Sequence, residues 1–383
     1  METYDYIIAG TGAAGLSLAF YLAQSPLKDK KILLIDKNIK NQNDRTWSFW
    51  QKDVSPFEEI IQQQWKNIYL FSKKESAKIN IAPYTYKTIK GIDFYNFTQN
   101  FIREHTSFKW LQADIQNLDI NQKQPFLQTE NQTFQAQYIF DGTWKVSETY
   151  KKKQGYHYLY QHFKGWFIES QEPIFDADTM HYMDFRVPQK DSEVRFGYVL
   201  PFSAHKGLVE FTVFSDNLLS EEQYIQELKN YLENILKITK YSIYDEEFGV
   251  IPMFDQPFPK SDHPNIIPIG TKAGCAKAST GFAFDRIQRH SKQIVENLIK
   301  GKKDIQPIFT KKYSLYDSAL LNVIHKNRLP SEEIFGRMFQ KHPVQRIFRF
   351  LDEESSLWED IQIMNSMPWL PFIKAIGQNI LRE

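Results

Sequence analysis

The apolar run Tyr6-Ile-Ile-Ala9 leads straight into Gly10-Thr-Gly12-Ala13-Ala14-Gly15, and a second run, Lys31-Ile-Leu-Leu-Ile-Asp36, closes on an acid. This order predicts strand, glycine turn, helix, strand and carboxylate, the opening of a parallel sheet that binds a dinucleotide. Gly10 suits the tight turn, Gly12 lets the backbone approach a pyrophosphate, and Gly15 lets the helix lie close on the strand. Ala13 and Ala14 open the helix, whose first N–H groups and positive dipole end face the phosphates. Asp36, followed by Lys37, stands 21 residues after Gly15, where a carboxylate reaches ribose hydroxyls. An ordinary glycine-rich turn in an α/β domain is the competing reading.

A chain of 383 residues can hold a large core or two domains. Its 47 basic and 46 acidic residues leave a net charge of +1, so no bulk positive field is available to drive nucleic-acid binding. The single cysteine, Cys275, excludes an intramolecular disulfide framework and any multi-cysteine metal site. The nine histidines show no metal-ligand spacing, so no metal is expected. The first strand begins within a few residues of Met1, which argues against a secretory signal. No apolar stretch reaches the length of a membrane span. The expectation is a protein that is cytosolic or peripheral to a membrane.

Along the chain, the pattern predicts a helix over 13–24 and a polar loop over 38–50, ending in Asn43-Asp-Arg45-Thr-Trp47-Ser-Phe-Trp50. A helix over 94–105 and a strand over 110–115 follow. Strands over 115–140 end in Asp141-Gly142, and β-structure is expected over 155–215. Lys151–Lys153 reads as a solvated loop. A helix over 221–236 is capped by Ser220, a strand and turn fall at Ile266–Gly270, and a helix spans 282–299. The region beyond 300 is mainly helical. The glycine chemistry returns in Gly270-Thr-Lys-Ala-Gly274 and Ser279-Thr280-Gly281-Phe282. This resembles the second cofactor-binding segment of flavoproteins, where a helix start near the flavin stabilises negative charge on the reduced ring. Two glycine segments about 260 residues apart favour FAD over a bare nicotinamide. They imply a discontinuous dinucleotide domain (1–75, 93–145 and 255–300), a substrate domain (76–92 and 146–254) and a helical C-terminal region (301–383).

Four blocks resemble the lycopene cyclases, most of all the bacterial lycopene β-cyclases. They are Asn43–Trp50; Leu200-Pro-Phe-Ser203 with Leu208-Val-Glu210-Phe-Thr212; Glu247-Phe-Gly249-Val-Ile-Pro252-Met253; and the 268–284 glycine segment. Phe348–Glu353 resembles the family as well. The resemblance implies an α/β fold: a Rossmann-type FAD-binding domain of the glutathione-reductase-like kind, a β-sheet substrate domain and a helical C-terminal segment. It implies closure of the ψ ends of lycopene, or a related acyclic carotene, into β-ionone rings with no net redox change. Reduced FAD would be required, NAD(P)H would keep it reduced, and the protein would lie peripheral to the inner membrane. Arg45, Trp47 and Asp141 would lie near the cofactor, with Thr280, Gly281 and Phe282 by the flavin. An FAD monooxygenase or reductase acting on a hydrophobic isoprenoid, and a non-catalytic carotenoid binder, are the alternatives.

Glu210 matches the first acid of the family's Phe-Leu-Glu-Glu-Thr-like motif and is the candidate proton donor. Strand alternation puts Leu208, Glu210 and Thr212 on one mixed face, so a solvent-facing residue is the alternative. Leu208, Val209, Phe211 and Val213 are expected to surround the carboxyl and raise its pKa by desolvation. Phe211 replaces the second acid of plant-like members, which leaves the base open: another carboxylate, the flavin, or Glu210 itself. Tyr156, Tyr158, Tyr160, Phe163, Trp166 and Phe167 are candidates for a tunnel wall that holds a carbocation against ring faces. Trp369, Phe372, Ile373, Ile376 and Ile380 form a helical apolar stripe for either a membrane surface or the protein's own core.

Overall fold

The computed structural model describes residues 1–72, 76–121, 124–144, 152–258, 261, 263–306 and 309–382. Lys151 of the expected solvated loop lies outside them. The opening apolar runs become β1 (Glu2–Ala9) and β2 (Ile32–Asp36), paired in parallel with Tyr6 opposite Ile32 and Ala9 opposite Ile35. Both runs are buried on their two faces, as the strands of a covered parallel sheet must be. β8 (Phe108–Gln112) extends the sheet beyond β2, and β11 (Thr133–Asp141) pairs in parallel with the other edge of β1. Ile266–Pro268 (β17) runs parallel to the end of β11, so the distant glycine segment returns to the first one. β9 (Ile115–Asn121) and β10 (Gln124–Thr129) complete the sheet as an antiparallel extension.

On one face Ile8, Leu34 and Phe140 pack against helices α1 (Ala13–Ala23), α2 (Gly91–Arg103) and α4 (Phe284–Ile299). On the other, Ile7, Leu33 and Ile139 meet Leu127 and Phe134. The expected polar loop over 38–50 ends instead in a strand, β3 (Thr46–Gln51), paired with β7 (Thr85–Lys90), which also pairs with β4 (Gln63–Trp65). The threonine and aromatics of 46–50 favour a pleated, half-buried surface, and Phe49 and Trp50 are buried. The flanking polar residues masked that signal.

The second large sheet runs β16 (Ser242–Phe254), β12 (Tyr158–Glu169), β15 (Lys206–Ser215), β14 (Val194–Pro201), β13 (Thr179–Asp184), β5 (Asn67–Phe71), β6 (Ser76–Asn80). Asn67–Phe71, expected within the dinucleotide unit, thus belongs to this sheet, paired in parallel with β13. One face buries Trp166, Val209, Phe211 and Val213 under α3 (Glu221–Asn230) and the π-helical turn Tyr231–Ile235. Ser220 and Gln223 cap α3 reciprocally. The opposite face meets the C-terminal helices α5 (Lys311–His325), α6 (Ser331–Lys341), α7 (Val344–Leu351), α8 (Leu357–Asn365) and α9 (Trp369–Ile380).

The expected stripe on α9 divides. Phe372 and Ile376 pack on the core beside buried Ala375, whereas Trp369 (63% exposed), Ile373 and Ile380 face outward. A full apolar stripe at helical spacing cannot distinguish those two faces.

Candidate functional site

A cavity of about 690 Å³ runs from the N-terminal glycine turn to the inner face of the second sheet. Gly10 takes a φ of 91°, open to glycine at little strain. A Cβ on Gly15 would collide with the carbonyl of Gly10, so only glycine lets α1 lie this close to β1. Gly12 is the N-cap and no side chain caps α1, which leaves the first-turn N–H groups of a helix end to an anion in the cavity. Asp36 lines the cavity and accepts from Thr11 N at 2.7 Å and Asn38 N at 2.9 Å. Those bonds fix the carboxylate at the end of β2.

The second glycine segment comes alongside. A Cβ on Gly270 would stand 2.8 Å from that of Ala14. Gly281 has a φ of 72°, and the Gln161 carboxamide lies against it. The uncapped N-terminus of α4 lies just beyond, beginning at Phe284 and not at Phe282 as expected. Gly10, Gly12, Ala13, Ala14, Gly15, Asp36, Lys37, Arg45, Gly270, Thr280, Gly281 and Phe282 all line the one cavity. Asp141 and Gly274 stand back from it. Asp141 sits behind the turn, bound to Thr143 N at 3.0 Å and to the Lys272 ammonium. Gly274 (φ 79°) faces Phe258 and Phe309. Their glycine-segment and strand-end positions could not show which way they point.

At the other end of the cavity lies a carboxyl pair. Glu210 on β15 and Glu247 on β16 both stand opposite Gly165 of the intervening strand β12. Each leans over Gly165, and a Cβ there would lie 2.8 Å from Glu210 Cγ and 3.3 Å from Glu247 Cγ. Burial, then the charge of Glu247 and the hydrogen bond between the two, hold the Glu210 carboxyl well above the usual carboxylate range. Burial also raises Glu247, opposed by a 2.7 Å hydrogen bond from Thr46 Oγ1. A buried acid of this kind keeps a proton near neutral pH and can deliver it to a group in the cavity.

The surroundings of Glu210 differ from the expected ones. Leu208 shares its face of β15, but Val209, Phe211 and Val213 point the other way, into the α3 core. Strand parity decides this. Phe211, the position of a second acid in plant-like members, therefore faces away from the cavity, and the second carboxyl comes from the next strand but one. Glu247 opens the block Glu247–Met253, yet nothing in the linear sequence pairs it with Glu210.

Of the aromatic run 156–167, only Phe163 lines the cavity, its ring over Gly249. Tyr158 binds Gln256, Tyr160 packs on Phe254, Trp166 faces α3 and Phe167 lies in the core. The wall is built instead by Tyr86, Tyr182, Phe196, Tyr198 and Phe214, with Phe335, Met338 and Phe339 of α6. The Tyr86 and Tyr198 hydroxyls meet at 2.8 Å. Trp47 lines the cavity with its ring against Phe284. Among the described residues no group of three His, Cys, Asp or Glu side chains is placed to hold a metal.

A family model described as lycopene cyclase protein matches residues 5–376. The chain is 24% identical over 299 residues to a chloroplastic lycopene beta cyclase of Solanum lycopersicum, covering 74% of this chain and 57% of that protein. It is 22% identical over 325 residues to a chloroplastic neoxanthin synthase of Solanum tuberosum, covering 78% and 61%. The chain thus spans little more than half the length of these relatives. Among solved structures, a geranylgeranyl bacteriochlorophyll reductase-like protein of Thermoplasma acidophilum superposes with a TM-score of 0.69 at 13% identity, covering 99% of this chain and 100% of that one. A flavoprotein/dehydrogenase of Cytophaga hutchinsonii gives 0.65 at 11% identity, with full coverage of both chains. The architecture is that of these α/β flavoproteins, a Rossmann-type domain joined to a β-sheet domain and C-terminal helices.

Proposed function

Because the chain belongs to the lycopene cyclase protein family, we propose that it closes the ψ end groups of lycopene, or of a related acyclic carotene, into β-ionone rings without net redox change. The observation that carries this reading is a buried Glu210, its carboxyl held above the usual range by burial, in an aromatic cavity continuous with a dinucleotide-type glycine turn. FAD fits the other end of that cavity. The α1 N-terminus with Gly10, Gly12 and Gly15 would take the pyrophosphate, Asp36 and Lys37 the ribose side, and Gly270, Thr280, Gly281 and Phe282 the flavin. Bound and kept reduced by NAD(P)H, the cofactor supplies an electron-rich surface that favours positive charge nearby. Gln161, at Gly281, and Gly165, beneath the carboxyl pair, are four residues apart on β12, roughly 13 Å along a strand.

The chain's own part is as follows. Tyr86, Tyr182, Phe196 and Tyr198 hold the polyene end and exclude water. Glu210 gives its proton to the terminal double bond. Ring faces stabilise the resulting tertiary cation while the neighbouring double bond closes on it. Loss of a ring proton sets the new double bond. The substrate is insoluble in water, so we place the protein peripheral to the cytoplasmic membrane face. The exposed Leu357, Trp358, Trp369, Leu370 and Ile373 of α8 and α9 form the docking surface. Among the described residues no helix is long and apolar enough to cross a membrane.

Expression in lycopene-accumulating bacteria tests the reading. A pigment of unchanged mass and shortened conjugation supports cyclisation, and a gain of one oxygen or two hydrogens points to a monooxygenase or reductase instead. Glu210→Gln is expected to abolish conversion, a loss of at least roughly a hundredfold, with flavin still bound at purification.

A further inference from the structure

The proposed ring closure leaves a second proton to be taken up, and four adjacent strands bear on where it goes. Register sets Glu247 of β16, Gly165 of β12, Glu210 of β15 and Tyr198 of β14 side by side. The bare Gly165 lets the two carboxyls meet across the strand between them, and Thr46 on β3 anchors Glu247 from its far side. We propose that Glu210 and Glu247 form one acid–base unit that holds a single proton, gives it to the polyene end and takes the ring proton back; this rests on the cyclase reading above.

Two carboxylates within hydrogen-bond reach, Glu210 buried and Glu247 half-buried, resist ionising together unless a cation stands beside them. Donation from Thr46 and from the Glu210 carboxyl favours an ionised Glu247, so the shared proton resides on Glu210. The other groups facing the pair do not compete for that proton. Tyr198 and Tyr86 are bonded to each other and kept neutral by burial, Thr212 donates a hydrogen bond to Glu210, and the charge of Asp245, which raises Glu247, is opposed by that of Arg45. In the forward step the Glu210 O–H bond breaks and a C–H bond forms at the inner carbon of the terminal double bond, leaving the tertiary cation on its outer carbon. The neighbouring π pair then forms the ring C–C bond. Finally a ring C–H bond breaks, its electron pair becomes the new double bond, and the proton returns to Glu210. No atom or electron is gained. Once emptied, the pair carries two adjacent negative charges, which makes it a far stronger base than a lone carboxylate and stabilises the cation beside it. Glu247 acts through Glu210 and is a positioning residue.

The test uses the flavin-loaded enzyme, lycopene in vesicles, and the infrared C=O band of a protonated carboxyl. Wild type is expected to show that band at neutral pH, and Glu210→Gln to remove the Glu210 part of it, leaving that of Asp352, whose carboxyl burial raises to about 7. Glu247→Gln removes the repulsion that keeps the proton on Glu210. The pH at which the Glu210 part of the band disappears and the alkaline limb of turnover should both fall by about one unit or more. Turnover should fall at least roughly tenfold with KM little changed. Thr46→Val retains both carboxyls and shifts the proton towards Glu247, so it should also lower kcat with KM unchanged. If Glu210→Gln is inactive but neither Glu247→Gln nor Thr46→Val moves the band, the limb or kcat, the paired unit is overturned and the cyclase reading stands. If wild type converts no lycopene, the cyclase reading falls and the catalytic role of the pair falls with it.

Discussion

Gly165 shows how much chemistry one missing side chain can set. Its Cβ would stand 2.8 Å from Glu210 Cγ and 2.9 Å from Leu208 Cδ1, so any larger residue wedges the carboxyl pair apart. Gly165→Ala is expected to destabilise the fold by only about 1–3 kcal/mol, the usual range for overpacking. Activity should fall much further, because the hydrogen bond between the carboxyls is lost. Thermal unfolding and turnover measured on the same preparation will separate the two effects. At this scale the sequence marked Glu210 as an acid on a mixed strand face, and that face does line the cavity. It could not mark Glu247 as its neighbour, because the two are 37 positions apart and meet only through a third strand.

Among the elements, the β1–turn–α1 unit was the most legible, because every part of it is local: apolar runs, glycines at fixed offsets, then an acid. Its weak point is equally local. Gly15→Ala would drive a methyl into the Gly10 carbonyl and lift α1 from β1. The expected outcome is a loss of about 3 kcal/mol or more, with protein purified free of flavin. Absorbance of the isolated protein and its melting temperature check both. The strand β3 and the cavity wall were less legible. In β3, pairing with β7 overrides a polar neighbourhood. For the aromatic run of β12, alternation sends Trp166 to α3 while Phe163 alone reaches the cavity. The residues that do form the wall come from β7, β13, β14, β15 and α6, and no window of sequence contains them together.

At the scale of the molecule, α6 and the end of α7 cover the cavity, and α8 and α9 expose apolar residues on the outside. A buried cluster ties α9 down. Asp255 accepts from Ser318 Oγ at 2.6 Å and from Arg382 at 2.6 Å, and binds His157 Nδ1 at 2.8 Å. That leaves Trp369 and Ile373 exposed without loosening the core, as the proposed membrane contact requires. The pair Trp369→Ser and Ile373→Ser is expected to leave the melting temperature within a degree or two, since exposed substitutions change stability by only about 0.5 kcal/mol. Binding to phospholipid vesicles in a flotation assay should drop severalfold, and unchanged binding would remove these helices from the membrane contact.

What the sequence determined by itself was whatever short-range covalent spacing controls. This covers the Rossmann-type opening, the return of a second glycine segment and the α3 cap, while the family blocks made Glu210 a candidate acid by resemblance. Tertiary structure alone decided which side chains meet. It turned Phe211 away and brought Glu247 across Gly165. It also set Asp141 and Gly274 back from the cavity and split the α9 stripe between core and solvent. The physical reason is that strand parity, register and helix rotation are fixed by burial against partners far away in the chain, and a linear pattern carries the period of an element but not its phase relative to the rest of the molecule.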